Sequence, residues 1–469
     1  MDTLINHTFD EIQIGSTFTF PHRLSRMEID ALAFVSGETD AFQMGETNDT
    51  VQEIVAEAVA GEALVAALLK RRLPGPGTTI LAHDLKFSGE LRAGDEVVGQ
   101  VTAKKKLREG NLVVFDCLLT HEGETIVHGA VTVSAPTEKR RYDDFATPEI
   151  VLRRNNGFRN ILQRCYAMPP VTCAVVHPCD RDSLLGPLEA AKRGLIAPTL
   201  VGPDYKIRSV ADSENIDITP YPIVSTEHSH DSAQRAVAMV RAGESESLMK
   251  GSLHTDELMG AVVPSATGLR TSRRISHVFI LDVPAYPRLL LVTDAAINIA
   301  PGAKEKVDIA QNAIDLAHIL GITHPRVAIL AAVETVNPDM QSTVDAAMLC
   351  KMADRGQITG GTLDGPLAFD NAISTEAARI KKIISPVAGK ADILLVPDLE
   401  AGNILAKQLQ YLAGAESAGV VLGTRAPIVL TSRADTVRTR LVSTAVMKLI
   451  ARAKHDENIS QRQEVAHAA

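Results

Sequence analysis

Tryptophan is absent from these 469 residues, and aromatic residues make up only 4%. The cores must therefore be built from alanine, valine, isoleucine and leucine, a mix that suits helices packed on buried strands. The five cysteines (Cys117, Cys165, Cys173, Cys179 and Cys350) form no C-x-x-C pair and follow no regular spacing. That excludes a disulfide framework and fits a reducing cytoplasm, with the thiols mostly as small buried hydrophobes. No apolar run is long enough to span a bilayer, so no membrane is expected. The opening MDTLINHTFDE is polar and acidic, not a basic segment before an apolar one, so no secretory signal is read. Positive charge is not in excess: the net charge is −9, and nucleic acid is not expected as a partner. G-x-G-x-x-G and G-x-x-x-x-G-K-[ST] are both missing, and no His/Cys/Asp spacing suggests a metal site.

What is present divides in two. Length favours two or three domains, and 45% hydrophobic against 22% charged residues is the balance of a globular chain. The texture changes at TEKRRYDDFATPEIVLRRNNG, residues 137–157. Read as a linker over 138–157, this charged stretch leaves domains at 1–137 and 158–469. Before it, Ser25 followed three residues later by Glu28 predicts a capping box and a helix start. A second helix is predicted roughly from Thr50 to Leu73, with an apolar face that includes Val55, Leu64, Val65, Leu68 and Leu69. LPGPG ends it, because proline and glycine cannot continue a helix. TTILAHDLKF, DEVVGQVTAKKKL, NLVVFDCLLT and TIVHGAVTVSA then read as strands joined by the hairpin turns REGN and HEGE. One long helix backed by a curling antiparallel sheet is an α+β hot-dog arrangement.

After the linker, short apolar strands alternate with amphipathic helices. TCAVVHP, APTLVG, PIVST, HVFILDV, RVAILAAV, ADILLVPD, AGVVLG and PIVLTS read as buried strands. The alternation predicts an α/β fold with a mainly parallel sheet, divisible into two lobes facing a cleft, and ligands beyond the carboxyl ends of its strands. The tail HDENISQRQEVAHAA reads as a frayed end.

SGETDAFQ, residues 36–43, sets an acid, Glu38, five residues before Gln43. FVSGETDAFQ, the helix after it, LPGPGT and LKFSGELRAGDEV occur in an order that resembles the MaoC-like (R)-specific enoyl-CoA hydratases over residues 8–135. That family's loop runs Ser-Gly-Asp-x-Asn-Pro-x-His, and its Asp and His activate water. Here Glu38 stands at the Asp position and Gln43 at the His position. A general base must be ionisable, and glutamine takes no proton near neutral pH. The resemblance therefore implies a hot-dog fold with a degenerate hydratase site, kept for dimerisation, CoA-thioester binding or support of the second domain. An active enoyl-CoA hydratase is the alternative.

Three later stretches concentrate glycine and polar groups where strands should end: LMKGSLHTDEL, DRGQITGGTLDGPLAFDNAIS and LTSRADT. Glycine lets the backbone approach an anion closely, and arginine offers phosphate a planar fork. Ser432-Arg433 has this character, and Arg270, Arg273 and Arg274 form a second basic group. With SRRISHVF, TDAAINIAPGAKEK and LLVPDLEAGNILAK, these stretches resemble the phosphate acetyltransferase/phosphate butyryltransferase family over about residues 150–455. The pairing with a MaoC-like segment resembles bifunctional enoyl-CoA hydratase/phosphate acetyltransferases.

The resemblance implies a two-lobed transferase that reversibly moves an acetyl or butyryl group between coenzyme A and inorganic phosphate, through an acyl phosphate. It implies no cofactor beyond these substrates, a cytoplasmic setting, and a homodimer or higher homo-oligomer. Ser432 would hydrogen-bond the thiol or carbonyl, and Arg433 would hold phosphate, with Arg270 and Arg274 as second candidates. Acetyltransferase members carry an Asp seven residues after the matching Ser, where this chain has Thr439. Asp435 or another cleft acid such as Asp364 must then serve as thiol base, unless the base is dispensable. Gly360, Gly361, Asn371 and Asn403 are candidate cleft-lining groups. Structural readings stand beside these: Asp435 as a helix cap, Lys250 as a strand end, Cys350 as a core thiol, His277 as a structural hydrogen-bonder. A different class, a non-catalytic acyl-CoA-binding regulatory or scaffold protein, also stays open.

Overall fold

The computed structural model describes residues 4–36, 55–56, 58–88, 91–92, 94–142, 157–432 and 435–468. Glu38, Gln43 and Arg433 lie outside the described residues. The chain divides into two units, Met1–Arg153 and Arg154–Ala469, a cut that falls inside the expected linker.

In the first unit the strands are β1 (Leu4–Ile5), β2 (Thr17–Arg23), β3 (Val55–Ala56), β4 (Thr79–Phe87), β5 (Leu91–Arg92), β6 (Glu96–Leu107), β7 (Leu112–His121), β8 (Glu124–Ser134) and β9 (Arg141–Tyr142). Five of them form an antiparallel sheet in the order β2-β6-β7-β8-β4. Alternate residues point inward, as the two-residue period of a strand requires. Val97 and Val101 of β6, Phe115, Cys117 and Leu119 of β7, and Val131 of β8 are buried in one cluster with Val65, Leu68 and Leu69 of the Ala58–Arg71 helix. A sheet curled around one helix is the hot-dog arrangement.

Three details differ from expectation. The long helix starts at Ala58, because Val55–Ala56 is extended and pairs with Leu91–Arg92. The unexpected strand β2 contains Pro21, which has no N–H to give a ladder; it is tolerated because β2 is an edge strand. Arg141–Tyr142, assigned to the linker, instead pairs with Leu4–Ile5.

The capping box forms as predicted. Glu28 N donates to Ser25 Oγ at 3.2 Å, while Ser25 N and Oγ donate to Glu28 Oε2 at 2.8 and 2.7 Å. His22 Nε2 lies 3.0 Å from Glu28 Oε1. Burial alone would raise the Glu28 carboxyl, but the bonds from Ser25, with help from His22, hold it below its ordinary value. A depressed carboxyl contributes stability above its unfolded pKa and loses it as pH falls through the folded value. Ser25→Ala is therefore expected to cost about 1 kcal/mol at neutral pH. The deficit should shrink in acid, as read by hydrogen exchange along β6 and β7; an equal deficit at both pH values would contradict this.

The second unit contains β10 (Val171–Val176), β11 (Ile196–Gly202), β12 (Ile223–Ser225), β13 (Ser247–Lys250), β14 (Ser276–Asp282), β15 (Leu290–Thr293), β16 (Arg326–Leu330), β17 (Thr362–Leu367), β18 (Ile393–Leu395), β19 (Glu416–Leu422) and β20 (Ile428–Val429). They form one sheet in the order β12-β11-β10-β13-β20-β19-β14-β15-β18-β16-β17. The strands from β12 to β20 are parallel, as are those from β15 to β17. Between the two sets, β20–β19, β19–β14 and β14–β15 are antiparallel. Three successive reversals make the two sets run in opposite directions. The sheet is thus mixed, and the carboxyl ends of its two sets lie on opposite edges.

Helices cover both faces. One core holds Val175, Ile280, Leu291 and Ile329 against Leu441, Ala445 and Leu449 of the Val437–Ala468 helix. The other face carries two clusters, around Val176, Leu248 and Ile428 and around Leu281, Val292 and Leu394. The Val437–Ala468 helix continues to Ala468 where a frayed end was expected. That stretch has no glycine or proline, and its Glu, Gln and Ala residues favour helix. No helix among the described residues is long and apolar enough to cross a membrane.

Candidate active site

β10, β13 and β20 are adjacent and parallel, so their carboxyl ends open side by side. Leu248 pairs with Ile428 and Met249 with Val429. This register carries Lys250 and Gly251 of the LMKG stretch alongside Leu430 and Thr431. Lys250 ends β13, as expected. Gly251 is required: a Cβ there would lie 2.3 Å from the Val176 carbonyl oxygen and 2.6 Å from that of His177.

Each of the three strands leads into a helix. His177–Asp180 leads into Arg181–Lys192, Gly251–His254 into Thr255–Val262, and Thr431–Thr436 into Val437–Ala468. Three helix N-termini therefore gather on one edge of the sheet. Each brings partial positive charge and backbone N–H groups, the usual makings of an anion site. Carboxyl ends of parallel strands are also where α/β sheets hold ligands.

The Ser432–Asp435 turn follows β20 on this edge. Ser432 N donates to Asp435 Oδ2 at 2.6 Å, and Asp435 N donates back to the Ser432 carbonyl at 3.2 Å. Gln410 Nε2 donates to Asp435 Oδ1 at 3.3 Å. Asp435 is buried with both carboxylate oxygens engaged, so it holds the turn and is poorly placed to accept a thiol proton. Nor does it cap the helix that follows. Thr436 does, accepting from Thr439 N at 3.2 Å.

A cavity of about 320 Å³ opens beside the turn, lined by Gln410, Tyr411, Ser417, Thr436, Arg438 and Thr439 among others. The Ser417 hydroxyl is buried without a protein partner, and Arg438 faces Glu416 at 3.4 Å on the rim. Thr439, at the position of the expected base, lines this cavity with a group that does not titrate.

Other predicted residues are not brought to this edge. Arg270 bridges to Thr424, beyond the carboxyl end of the antiparallel β19 and so at the amino end of β20. Arg274 is on the same far edge: its Nε donates to Asn298 Oδ1 at 2.7 Å and its backbone N to Asp308 Oδ2 at 2.8 Å. Asn403 is there too, donating to the Ala295 carbonyl at 3.1 Å. Asn371 is buried at the carboxyl end of β17, hydrogen-bonded to Glu334. Gly360, Gly361 and Asp364 belong to β17 or the residues before it, six strands along the sheet from β20. At the usual strand spacing that is roughly 29 Å. Asp364 accepts from Gly365 N at 2.9 Å and does not replace the missing base beside Ser432.

His277 is fully buried, and its polar contact is with the Leu430 backbone, short of a well-formed hydrogen bond. Its ring meets Phe279 edge-on at 4.5 Å between centroids, and burial holds its pKa down. Cys350 is a half-buried thiol in the Gln341–Asp354 helix. Burial pushes it up to about 11 and raises the other four cysteines to about 11 or 12. No cysteine is therefore primed as a nucleophile. Among the described residues, no group of three or more His, Cys, Asp or Glu is placed to hold a metal ion.

The sequence reading missed Asp294, whose carboxylate accepts from the backbone N–H groups of Ala296, Ile297 and Asn298 at 3.0–3.1 Å. An acid directly after the apolar run LLLVT was the available signal. It also missed Gln410, Ser417 and Arg440, which sequence spacing does not connect to Ser432.

The first unit carries a separate cavity of about 480 Å³. Phe20, Leu32, Leu64, Leu68 and Leu119 give it an apolar wall, and His22 and Glu28 add a polar one.

Residues 224–448 match the family described as phosphate acetyl/butaryl transferase. Over 294 residues the chain is 60% identical to a phosphate acetyltransferase of Rhizobium meliloti, covering 63% of this chain and 93% of that one. The chain belongs to the phosphate acetyl/butyryl transferase family. Within that family it is also 42% identical to a phosphate butyryltransferase of Clostridium beijerinckii, over 63% of this chain and 98% of that one. A branched-chain phosphotransacylase from Enterococcus faecalis V583 has the same transferase fold, with a TM-score of 0.53 and 32% identity over 60% of this chain and 99% of that one.

Proposed function

We propose that the second unit transfers an acyl group between coenzyme A and inorganic phosphate: acyl-CoA + Pi ⇌ acyl phosphate + CoA. The observation that carries this reading is the gathering of three helix N-termini around the Ser432 turn, in a member of this transferase family. The edge with the three helix N-termini suits the phosphate end of an acyl phosphate, and the cavity beside Thr439 suits the thiol arm. Toward acyl-CoA, sulfur attacks the carbonyl carbon; the C–S bond forms, the C–O bond to phosphate breaks, and its electron pair leaves on phosphate oxygen. Ser432 donates to the carbonyl oxygen as negative charge builds there, and Arg433 pairs with the phosphate.

A free thiol has a pKa near ~8.5, and the positive ends of the three helices favour its thiolate. With Asp435 holding the turn and Thr439 unable to titrate, the thiol proton passes to the departing phosphate. Positioning alone can supply roughly 7–11 kcal/mol of such a barrier, so no covalent enzyme intermediate is needed. We infer acetyl as the preferred group; the higher identity with an acetyltransferase, 60% against 42% with a butyryltransferase, supports this reading.

The first unit, in this reading, binds an apolar acyl chain in its own cavity without hydrating it, because Gln43 supplies no base. The transferase test is thioester absorbance on mixing acetyl or butyryl phosphate with coenzyme A. Thioester should form with both, with the higher kcat/KM for acetyl phosphate. No thioester from either would overturn the transferase reading. Hydration of crotonyl-CoA that is lost in Glu38→Ala would overturn the reading of the first unit.

A further inference from the structure

Among the described residues, Arg440 is the largest side chain buried almost completely, at 1% exposure. A guanidinium stays charged in proteins and is costly to bury unless it is paired. A hydrophobic residue of similar volume would fill such a place at no loss of stability. This one lies against the Arg181–Lys192 helix, above Gly186. A Cβ at residue 186 would come within 2.7 Å of Arg440 Cδ and 3.0 Å of its Cβ. The helix thus carries an interior glycine, at a cost of roughly 1 kcal/mol, where the arginine stem crosses it.

The guanidinium grips the turn that precedes its own helix. Nη1 donates to Thr431 Oγ1 at 2.8 Å, and Nη2 donates to the Ser432 carbonyl at 3.1 Å. That carbonyl also accepts from Asp435 N, while Ser432 N is held by Asp435 Oδ2. Both backbone polar groups of Ser432 are therefore fixed, in a residue that is itself exposed. Asp180 and Asp182, at the start of the Arg181–Lys192 helix, and Asp435 are the charges that favour the buried cation. Arg440 thereby ties the Ser432 turn to the helix that starts at the end of β10, on the same edge of the sheet.

We propose that Arg440 is a positioning residue for acyl transfer, locking the Thr431–Ser432 backbone so that the Ser432 hydroxyl meets the reacting carbonyl. The proposal rests on the reading of Ser432 as a catalytic group. Displacing such a group by about 1 Å can cost 10²-fold in rate. Arg440→Met keeps most of the stem and removes both donors. It should lower kcat about 10- to 100-fold, with KM for coenzyme A changed much less. Arg440→Lys, which restores one donor, should recover part of the loss.

The deciding measurement is a double-mutant cycle with Ser432→Ala, because groups that act through one another lose additivity. In the Ser432→Ala background, Arg440→Met should cost less than threefold. Additive losses, or wild-type kcat in Arg440→Met beside a crippled Ser432→Ala, would overturn the proposal and leave the Ser432 reading intact. A fully active Ser432→Ala would instead sink the Ser432 reading. If Arg440→Met does not fold, Gly186→Ala takes its place, since the new methyl presses on Arg440 Cδ. A kcat loss that disappears in the Ser432→Ala background supports the proposal; an unchanged or additive rate overturns it.

Discussion

Replacing Ser432 by alanine is expected to lower kcat for acyl transfer by about 10²-fold, the usual effect of removing one donor to a developing oxyanion. The backbone of the turn should survive the change. Its bonds run from Ser432 N to Asp435, from Asp435 N and Arg440 to the Ser432 carbonyl, and from Arg440 to Thr431. The melting temperature and the KM for coenzyme A should therefore stay near wild type. A fall in KM-dependent binding with kcat intact would instead make Ser432 a binding group, and no change in either would remove it from the reaction.

Arg433→Ala should act on the other substrate. Hydrogen bonds to charged partners contribute about 1.5–3 kcal/mol each, so the KM for acyl phosphate should rise roughly 10- to 100-fold. The KM for coenzyme A should change little. Arg433→Lys should recover only part of the loss, because an ammonium cannot make the bidentate contact of a guanidinium. An unchanged KM for acyl phosphate would refute the phosphate role. With Arg270 and Arg274 on the far edge of the sheet, neither is expected to substitute for Arg433.

Local structure was the most legible part of the sequence. Ser25 and Glu28 form the capping box they predict, and REGN and HEGE form the turns they predict; Gly110 and Gly123 adopt φ values of 74° and 89° there. The strands that escaped notice have physical excuses. Pro21 and Pro366 argue against strand structure until the sheet order shows that β2 and β17 are edges. The four-residue β15 is too short for a periodic signal.

The site was legible as motifs and illegible as an arrangement. Ser432, Arg270, Asn371 and Gly360 all lie beside strand ends in sequence, and each passes for a cleft residue. β14 runs in the same direction as β20, so Arg270, which precedes β14, lies at the opposite edge from Ser432, which follows β20. Sheet order sends Gly360 and Asp364 six strands away. Neither fact has a local signature. Asp435 shows the same limit at short range: its spacing from Ser432 fits a base, a helix cap or a turn clamp, and only its bonds to Ser432 N and Gln410 decide for the clamp.

The central claim is that phosphate, not water, receives the acyl group. The direct measurement starts from acetyl-CoA and labelled inorganic phosphate and traps any acyl phosphate as a hydroxamate while free thiol is counted. The account predicts one labelled acyl phosphate for each thiol released, and no thiol release when phosphate is omitted. Thiol release without acyl phosphate, at a rate indifferent to phosphate, would contradict it.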